Sequence, residues 1–285
     1  MEPQNTQLPP DPRLARGKVA HYNRDEIVSQ LDSFYHFLPH IPTSAIHRAP
    51  PNGWPSITAE ALERRGIHKT AEAIELMRHL PYISLDGGAR PWFIPDGFVC
   101  DYRLFGRDDL TSRTKPGWMY DVERGSATTV DGDEERWSPW VVQLTAGTDR
   151  EANCYMLDTT DGTVTRYCVM QCLYDPRYDK GDPRSWRDRL CDDETRTLDG
   201  QIEEWQAWYR DWELLALPSY IRTDGIPEDP ELFVRRKGDG PGSFRWEETE
   251  ALQKIYRDHG WPDKYEKEKC HQALIGWWRG GKGCE

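Results

Sequence analysis

The chain has 285 residues, of which 30% are charged and 37% hydrophobic, and its formal net charge is −12. This excess of acid argues against the basic face that engages nucleic-acid phosphates and against docking on anionic membranes. No apolar run approaches the roughly 18 residues that a membrane-spanning helix needs. The 13 Trp, 13 Tyr and 7 Phe instead predict a globular protein with an aromatic core, because each large ring buries much apolar surface.

The first residues and the cysteines favour a cytoplasmic protein. Residues 1–17 lack the hydrophobic stretch of a secretory signal. The seven Cys are odd in number and widely spaced, which does not indicate a disulfide framework. We therefore expect reduced thiols.

The composition divides the chain into a Pro-rich lead-in, one domain and a tail. Residues 1–20 contain four prolines and few groups that pack, which predicts a flexible or extended segment. We predict a single domain over residues 21–279 and a loose tail over residues 280–285.

The N-terminal part of that domain has helical signals. Apolar residues recur at three- and four-residue steps over 23–38, and Pro39 ends this predicted helix. Thr58 is a suitable N-cap for a short helix over 59–65, and a further helix is predicted over 70–80.

The middle of the chain has strand signals and the C-terminal third is helical again. Predicted strands cover 92–94, 97–104, 140–145, 153–158, 163–170 and 232–235. Asp161-Gly162 predicts a hairpin between two of them. The stripe Leu198, Ile202, Trp205, Trp208, Trp212 and Leu215 predicts about five helical turns, followed by helices over 247–257 and 265–278. The predicted class is α+β, with a central antiparallel sheet flanked by N-terminal and C-terminal helices.

Standard catalytic and metal-binding motifs are absent from the sequence. There is no Gly-x-Ser-x-Gly nucleophile elbow and no Cys-x-x-Cys pair. Glu75 and His79 share one face of a predicted helix, but zinc requires three or four ligands, so a surface or capping pair is the simpler interpretation. We expect neither a metal nor a cofactor.

Two sets of residues are candidates for binding. Trp54, Trp118 and Trp140 lie in or beside loops, where aromatic rings build binding platforms or simply pack. Arg187 is one of several arginines near Trp186; it is either a bidentate carboxylate ligand or a surface charge.

A third set is a candidate catalytic site. His79, Tyr82, Asp101 and Tyr102 flank the passage from a helix into the sheet, where a cleft can form. Glu75 is four residues before His79 and could orient it as a general base.

Several segments resemble known proteins. Pro50-Pro51-Asn52-Gly53-Trp54-Pro55, Leu76-Met77-Arg78-His79-Leu80-Pro81-Tyr82-Ile83 and His259-Gly260-Trp261-Pro262-Asp263 resemble a pattern of an uncharacterised fungal protein family. A helix, a Leu-Pro-Tyr step, strands with a Gly-Thr-Val hairpin and a Trp-containing helix also resemble the SUKH superfamily. That superfamily includes a fungal regulator of cell-wall synthesis and bacterial toxin-immunity proteins. The resemblance implies an α+β fold that binds protein partners rather than one that catalyses a reaction.

Two functional hypotheses follow. The first is an intracellular ligand- or protein-binding regulatory protein of SUKH-like type. The alternative is a small-molecule enzyme of fungal specialised metabolism, such as a cyclase, hydrolase or transferase, with an aromatic-lined pocket. The partner is accordingly a protein or a small molecule, and the oligomeric state is left open.

Overall fold

The mixed α+β class is confirmed, with helices in the N- and C-terminal regions and antiparallel strands between them. The computed structural model describes residues 9, 11–15, 18–64, 67–84, 91–94, 97–103, 137–146, 153–168, 175–179, 181–189, 195–217, 232–234, 241 and 246–282. The helices within these ranges are α1 (Arg24–Phe37), α2 (Ala59–Glu63), α3 (Ala71–His79), α4 (Leu198–Arg210), α5 (Trp246–Asp258) and α6 (Lys267–Trp277). In the part of the chain that the structure describes, none of them combines the length and apolar character needed to cross a membrane.

The strands within the same ranges are short and pair antiparallel. They are β1 (Ile46–His47), β2 (Tyr82–Ile83), β3 (Trp92–Ile94), β4 (Gly97–Val99), β5 (Val141–Gln143), β6 (Thr145–Ala146), β7 (Cys154–Asp158), β8 (Thr163–Tyr167), β9 (Thr195–Thr197), β10 (Leu214–Ala216) and β11 (Leu232–Val234). The largest sheet has the order β5-β7-β8-β9, and a second has the order β3-β4-β6. β1 pairs with β2, and β10 pairs with β11.

The predicted helix starts are confirmed by their caps. The Asn23 side chain accepts hydrogen bonds from the amides of Asp25 and Glu26 at 3.1 and 3.2 Å. Thr58 and Thr70 cap α2 and α3 in the same way. Each cap satisfies amides that have no partner in the first helical turn, which explains why local sequence predicts these boundaries.

The predicted hairpin joins β7 to β8. The amide of Gly162 donates to the carbonyl oxygen of Asp158 at 2.8 Å, and Gly162 has a φ of +76°. A β-carbon at this position would lie 2.4 Å from the carbonyl oxygen of His21. Glycine is therefore required twice, by the left-handed backbone and by the close approach of the N-terminal chain.

Trp205 on α4 is the hub of the main core. It is fully buried, and its ring centroid lies 4.8 Å from that of Tyr155, 5.3 Å from Phe34 and 5.6 Å from Phe93. These rings come from two helices and two strands, and two of the pairs have the edge-to-face geometry that aromatic rings prefer. The hub therefore joins the N-terminal helix, the sheets and the C-terminal half.

The prediction of a five-turn helix through Leu215 was wrong at its end. α4 stops at Arg210, Trp212 has a φ of +60°, and Leu215 lies in strand β10. Trp208 and Trp212 are half-buried against the core. The apolar residues kept helical spacing beyond the end of α4 because Leu215 of strand β10 also faces the core.

α6 closes on the chain that follows α1. The Tyr265 hydroxyl donates to the carbonyl oxygen of Pro39 at 2.7 Å, and His271 Nε2 binds the same oxygen at 2.6 Å. Lys267 Nζ donates to the carbonyl oxygens of His36 and Ile41 at 2.8 and 3.0 Å. These bonds satisfy the carbonyl of His36 in the last turn of α1 and the carbonyls of Pro39 and Ile41 in the chain that follows it. Residues 280–282 of the predicted tail belong to a π-helical turn that follows α6.

Candidate functional site

The loop that carries Trp54 is held by backbone hydrogen bonds and rests on the end of α3. The Gly53 amide donates to the carbonyl oxygen of Pro50, and the Trp54 amide donates to that of Arg78, both at 2.8 Å. Gly53 has a φ of +73°, and a β-carbon there would lie 3.0 Å from backbone and side-chain atoms of Arg78. The loop therefore approaches α3 more closely than any residue other than glycine at position 53 would permit.

The Trp54 indole is half-buried and held in one orientation. Its Nε1 donates to the carbonyl oxygen of Leu80 at 2.9 Å, and its ring centroid lies 6.1 Å from that of Tyr82. The Arg103 guanidinium lies 4.8 Å from the Trp54 ring centroid and 5.2 Å from that of Tyr82. Both distances are within the range of cation–π attraction.

Arg103 is fixed in turn by a buried carboxylate. Its Nε and Nη2 donate to the two oxygens of Asp101 at 2.9 and 2.6 Å, and Nη2 also donates to Ser84 Oγ at 3.2 Å. The Asp101 side chain is 0% exposed and that of Arg103 is 17% exposed. A bidentate pair of this kind fixes both distance and plane. We call Trp54, Tyr82, Asp101 and Arg103 the Trp54–Arg103 site.

The sequence had suggested Trp54 as a ligand-binding residue and Tyr82 and Asp101 as catalytic residues of another site, and it had not singled out Arg103. Its position two residues after Asp101, at the end of a predicted strand, is the only local signal. The signal indicates a site only once the fold brings the Trp54 ring within 4.8 Å of the Arg103 guanidinium.

The two candidate catalytic tyrosines have hydroxyls that bind backbone. Tyr82 Oη donates to the carbonyl oxygen of Met77 at 2.6 Å, and burial raises its pKa well above the ordinary value. Tyr102 Oη donates to the carbonyl oxygen of Gln143 at 3.0 Å and accepts from the amide of the same residue at 3.1 Å. Both side chains are buried, so these hydroxyls hold α3 and β5 in place.

His79 and Glu75 lie side by side at the end of α3. His79 Nδ1 donates to the backbone carbonyl of Glu75 at 2.8 Å, whereas the Glu75 carboxylate is 3.8 Å away. That carboxylate pairs with Arg78 at 2.5 Å, and Arg24 lies 3.8 Å from it. His79 is therefore oriented by the helix backbone, and the carboxylate is shared with arginines.

The other predicted ligand-binding tryptophans have different outcomes. Trp140 is half-buried and packs with Trp137 and Trp186 on a second, smaller core cluster of Val141, Cys154, Met156 and Tyr167. Its carbonyl oxygen accepts from the amide and the hydroxyl of Thr159. Trp118 lies outside the described residues.

Arg187 is buried and binds carboxylates of its own chain, so it is not a surface charge. Its Nη2 donates to Asp158 Oδ2 at 2.8 Å and to Asp161 Oδ2 at 3.0 Å, and its Nη1 donates to Asp11. The side chain is 0% exposed. Burial alone would lower the pKa of the guanidinium, and the three carboxylates raise it above its usual value, so Arg187 stays charged.

The carboxylate of Asp158 is the most enclosed member of this group. It also accepts from Trp186 Nε1 at 2.9 Å and from the amide of Thr160 at 2.8 Å. Burial raises its pKa, against the attraction of Arg187. We call Asp11, Asp158, Asp161 and Arg187 the Arg187 cluster.

In the part of the chain that the structure describes, no three His, Cys, Asp or Glu side chains converge as metal ligands. A shallow cleft lies between the end of α4, strand β10 and α5, with Trp212, Tyr256 and Trp261 in its wall, and it has no enclosed space for a small molecule.

Comparison with known proteins gives no match: no family model, no curated protein and no solved structure matches this chain. The resemblance to the SUKH superfamily therefore stays a prediction. What the protein binds has to be inferred from its own side chains.

Proposed function

We propose that this protein is a cytoplasmic regulatory protein that, like members of the SUKH superfamily, acts by binding a protein partner. In this proposal the Trp54–Arg103 site is the face that contacts the partner. The observation that carries the proposal is the fixed geometry of Trp54, on a partly exposed, hydrogen-bonded loop, against the guanidinium of Arg103 from a different segment. Trp, Tyr and Arg are the residue types that dominate the energy of protein interfaces. A surface fixed before binding also loses less conformational entropy when the partner arrives.

The surroundings of Trp54 suit a partner protein. Pro51, Asn52, Pro55 and Ser56 are exposed on either side of the indole. Prolines hold the backbone of this loop, and its turns are hydrogen-bonded. A partner can therefore contact the loop without ordering it.

The chemistry of the neighbouring groups favours binding over catalysis. Acid–base catalysis needs a group that can exchange a proton with a substrate. The Tyr82 and Tyr102 hydroxyls bind backbone, and Asp101 is neutralised by Arg103. Buried thiols at Cys100, Cys154, Cys168 and Cys270 accord with the proposed cytoplasmic location.

The test is quantitative affinity capture from lysate of the native source, comparing the wild type, Trp54→Ala and Trp208→Ala. Trp208 is the matched control, because it is also half-buried against the main core but lies on α4. We expect the wild type and Trp208→Ala to retain the same partner and Trp54→Ala to lose at least about tenfold in affinity, the effect of an interface hot spot. Equal capture by Trp54→Ala would contradict the proposal.

A second variant separates geometry from charge. Arg103→Lys keeps the positive charge but cannot span both oxygens of Asp101. We expect it to weaken capture of the same partner while the far-ultraviolet circular dichroism is unchanged. Retention of full affinity would show that the fixed guanidinium plane does not matter.

A further inference from the structure

Asp11, in the predicted flexible lead-in, has a buried side chain. Its carboxylate accepts a hydrogen bond from Arg187 Nη1 and one from the Tyr178 hydroxyl at 2.8 Å. The side chains of Asp11 and Arg187 are 2% and 0% exposed. A carboxylate this enclosed is stable only with such partners, so residue 11 occupies a site built for an anion.

The residues on either side of Asp11 bind the same segment of the chain. The Pro9 carbonyl oxygen accepts from Arg184 Nη1 at 2.8 Å. Arg13 Nη2 donates to Asp188 Oδ1 at 3.2 Å and to the carbonyl oxygen of Asp175. Residues 9, 11 and 13 thus present an acceptor, an anion and a cation to complementary groups in residues 175–189.

Tyr178 lies close to two guanidinium groups. Arg13 is 5.6 Å from its ring centroid and Arg184 is 5.4 Å from it. Arg13 belongs to the N-terminal segment, and Arg184 belongs to the recess that receives this segment, which residues 175–179 and 181–189 form. Cation–π attraction therefore adds to the charge complementarity.

The N-terminal segment forms its bound conformation from local signals. The Asp11 side chain accepts from the amide of Arg13 at 2.8 Å, and the Asp11 carbonyl accepts from the amide of Leu14 at 3.2 Å. Asp at the first and Pro at the second position are the residues that favour such a turn. A short peptide containing Asp-Pro-Arg can therefore adopt the same turn without the rest of the chain.

The recess is held by carboxylates of its own. Arg187 also binds Asp158 and Asp161, and Arg184 binds both oxygens of Asp182 at 3.0 and 2.8 Å. These partners lie outside the N-terminal segment. The two arginines therefore keep their positions when the segment leaves.

From these contacts we propose that residues 175–179 and 181–189, with the turn at residues 158–163, form a docking site for peptides of the pattern Asp-Pro-Arg. Residues 9 and 11–13 of the same chain fill this site as an intramolecular occupant. A partner that presents the same pattern competes with them. This site is separate from the Trp54–Arg103 site, so either proposal can fail without the other.

The test measures binding of a fluorescent peptide, Leu-Pro-Pro-Asp-Pro-Arg-Leu-Ala, to the full-length chain by anisotropy. The double variant Asp11→Ala/Arg13→Ala removes the groups that fill the recess and leaves the recess intact. We expect the peptide to bind this variant at least about tenfold more tightly than the wild type, because the tethered segment competes at an effective concentration on the order of millimolar. Peptides with Asn for Asp or Ala for Arg are the controls and should bind at least about tenfold more weakly.

A milder protein variant keeps the test decisive if the double variant does not fold. Asp11→Asn preserves the turn and removes the charge that Arg187 binds, so it should also bind the native peptide more tightly than the wild type does. Equal binding of native and control peptides, or no binding to either variant at millimolar peptide, would overturn the proposal.

Discussion

Trp205 and Arg187 are both completely buried, but apolar packing stabilises the first and charge pairing stabilises the second. Trp205 contacts Phe34, Phe93 and Tyr155 through non-directional apolar surfaces. Arg187 is surrounded by Asp11, Asp158 and Asp161, and the buried charges of the guanidinium and the carboxylates compensate each other. An apolar hub loses stability in proportion to the surface removed, whereas this ionic cluster is destabilised most when its guanidinium is removed and the carboxylates lose their counter-ion. The variants below separate these two behaviours.

The largest effect is expected at the apolar hub. Trp205→Ala removes the ring on which four elements meet, and we expect a loss of about 3–5 kcal/mol in the free energy of unfolding. Urea denaturation followed by circular dichroism measures it. Trp208→Ala, on the same helix but half-buried, should cost much less; an equal loss would show that Trp205 is not the hub.

Removal of the cluster's cation comes next. Arg187→Met leaves three carboxylates without their counter-ion, and we expect a loss of about 3 kcal/mol at pH 7, the lower end for a broken buried pair. The loss is limited because the acids can take up protons, and burial already raises the pKa of Asp158.

The same variant should respond to pH in a way that Trp205→Ala does not. Without Arg187 the folded-state pKa of Asp158 rises further above its unfolded value, because burial already raises it and the opposing attraction of the guanidinium is lost. The folded variant then binds more protons than the unfolded chain, so its stability falls as pH rises. The difference between wild type and Arg187→Met should therefore shrink from pH 7 to pH 5. A constant difference over that range would mean that the carboxylates find another cation.

The contrast between these regions also explains what the sequence could and could not predict. The starts of α1, α2 and α3 were predictable because Asn23, Thr58 and Thr70 cap amides only two or three residues away. The hairpin at Gly162 was predictable for the same reason, because its hydrogen bond joins Gly162 to Asp158, four residues earlier. The burial of Trp205 followed from helical spacing, which also misled at Trp212, where the chain leaves the helix.

The charged contacts had no such local signal. Asp11 and Arg187 are 176 residues apart, and neither residue's neighbours indicate the other. Arg103 became part of a site only through Trp54, which lies in a different segment. Charged side chains are usually solvated on the surface, so single-sequence reasoning assigns them there unless the fold shows a partner.

Lys267 is a half-buried cation whose hydrogen-bond partners are carbonyl oxygens. Burial lowers its pKa to about 8, and its two hydrogen bonds need no more than the two hydrogens of a neutral amine. Between pH 8 and about 10 the unfolded chain, with an ordinary lysine pKa near 10.4, binds the proton that the folded chain has lost. Stability therefore rises with pH in this window, by about 1–2 kcal/mol after allowance for partial exposure.

Urea denaturation of the wild type and Lys267→Met at pH 7.5 and 9.5 measures this rise. The effect is the difference between the two proteins, because ionisation of Cys270 and the buried tyrosines affects both alike. We expect Lys267→Met to lack the increase. If both proteins change equally, the amine keeps its proton in the folded chain.

The smallest expected effect compares one hydroxyl in each region. Tyr209 Oη donates to the carbonyl oxygen of Phe93 at 2.5 Å inside the apolar core, whereas Tyr178 Oη donates to Asp11 at 2.8 Å near the surface. Tyr209→Phe leaves a buried carbonyl without this donor, and we expect a loss of about 1 kcal/mol. Tyr178→Phe should cost about 0.5 kcal/mol, because Arg187 still binds Asp11 and water can replace the hydroxyl on the half-buried ring. Paired urea titrations decide between them, and a larger loss for Tyr178→Phe would mean that the N-terminal segment stabilises the whole fold and does not act as a displaceable occupant of the recess.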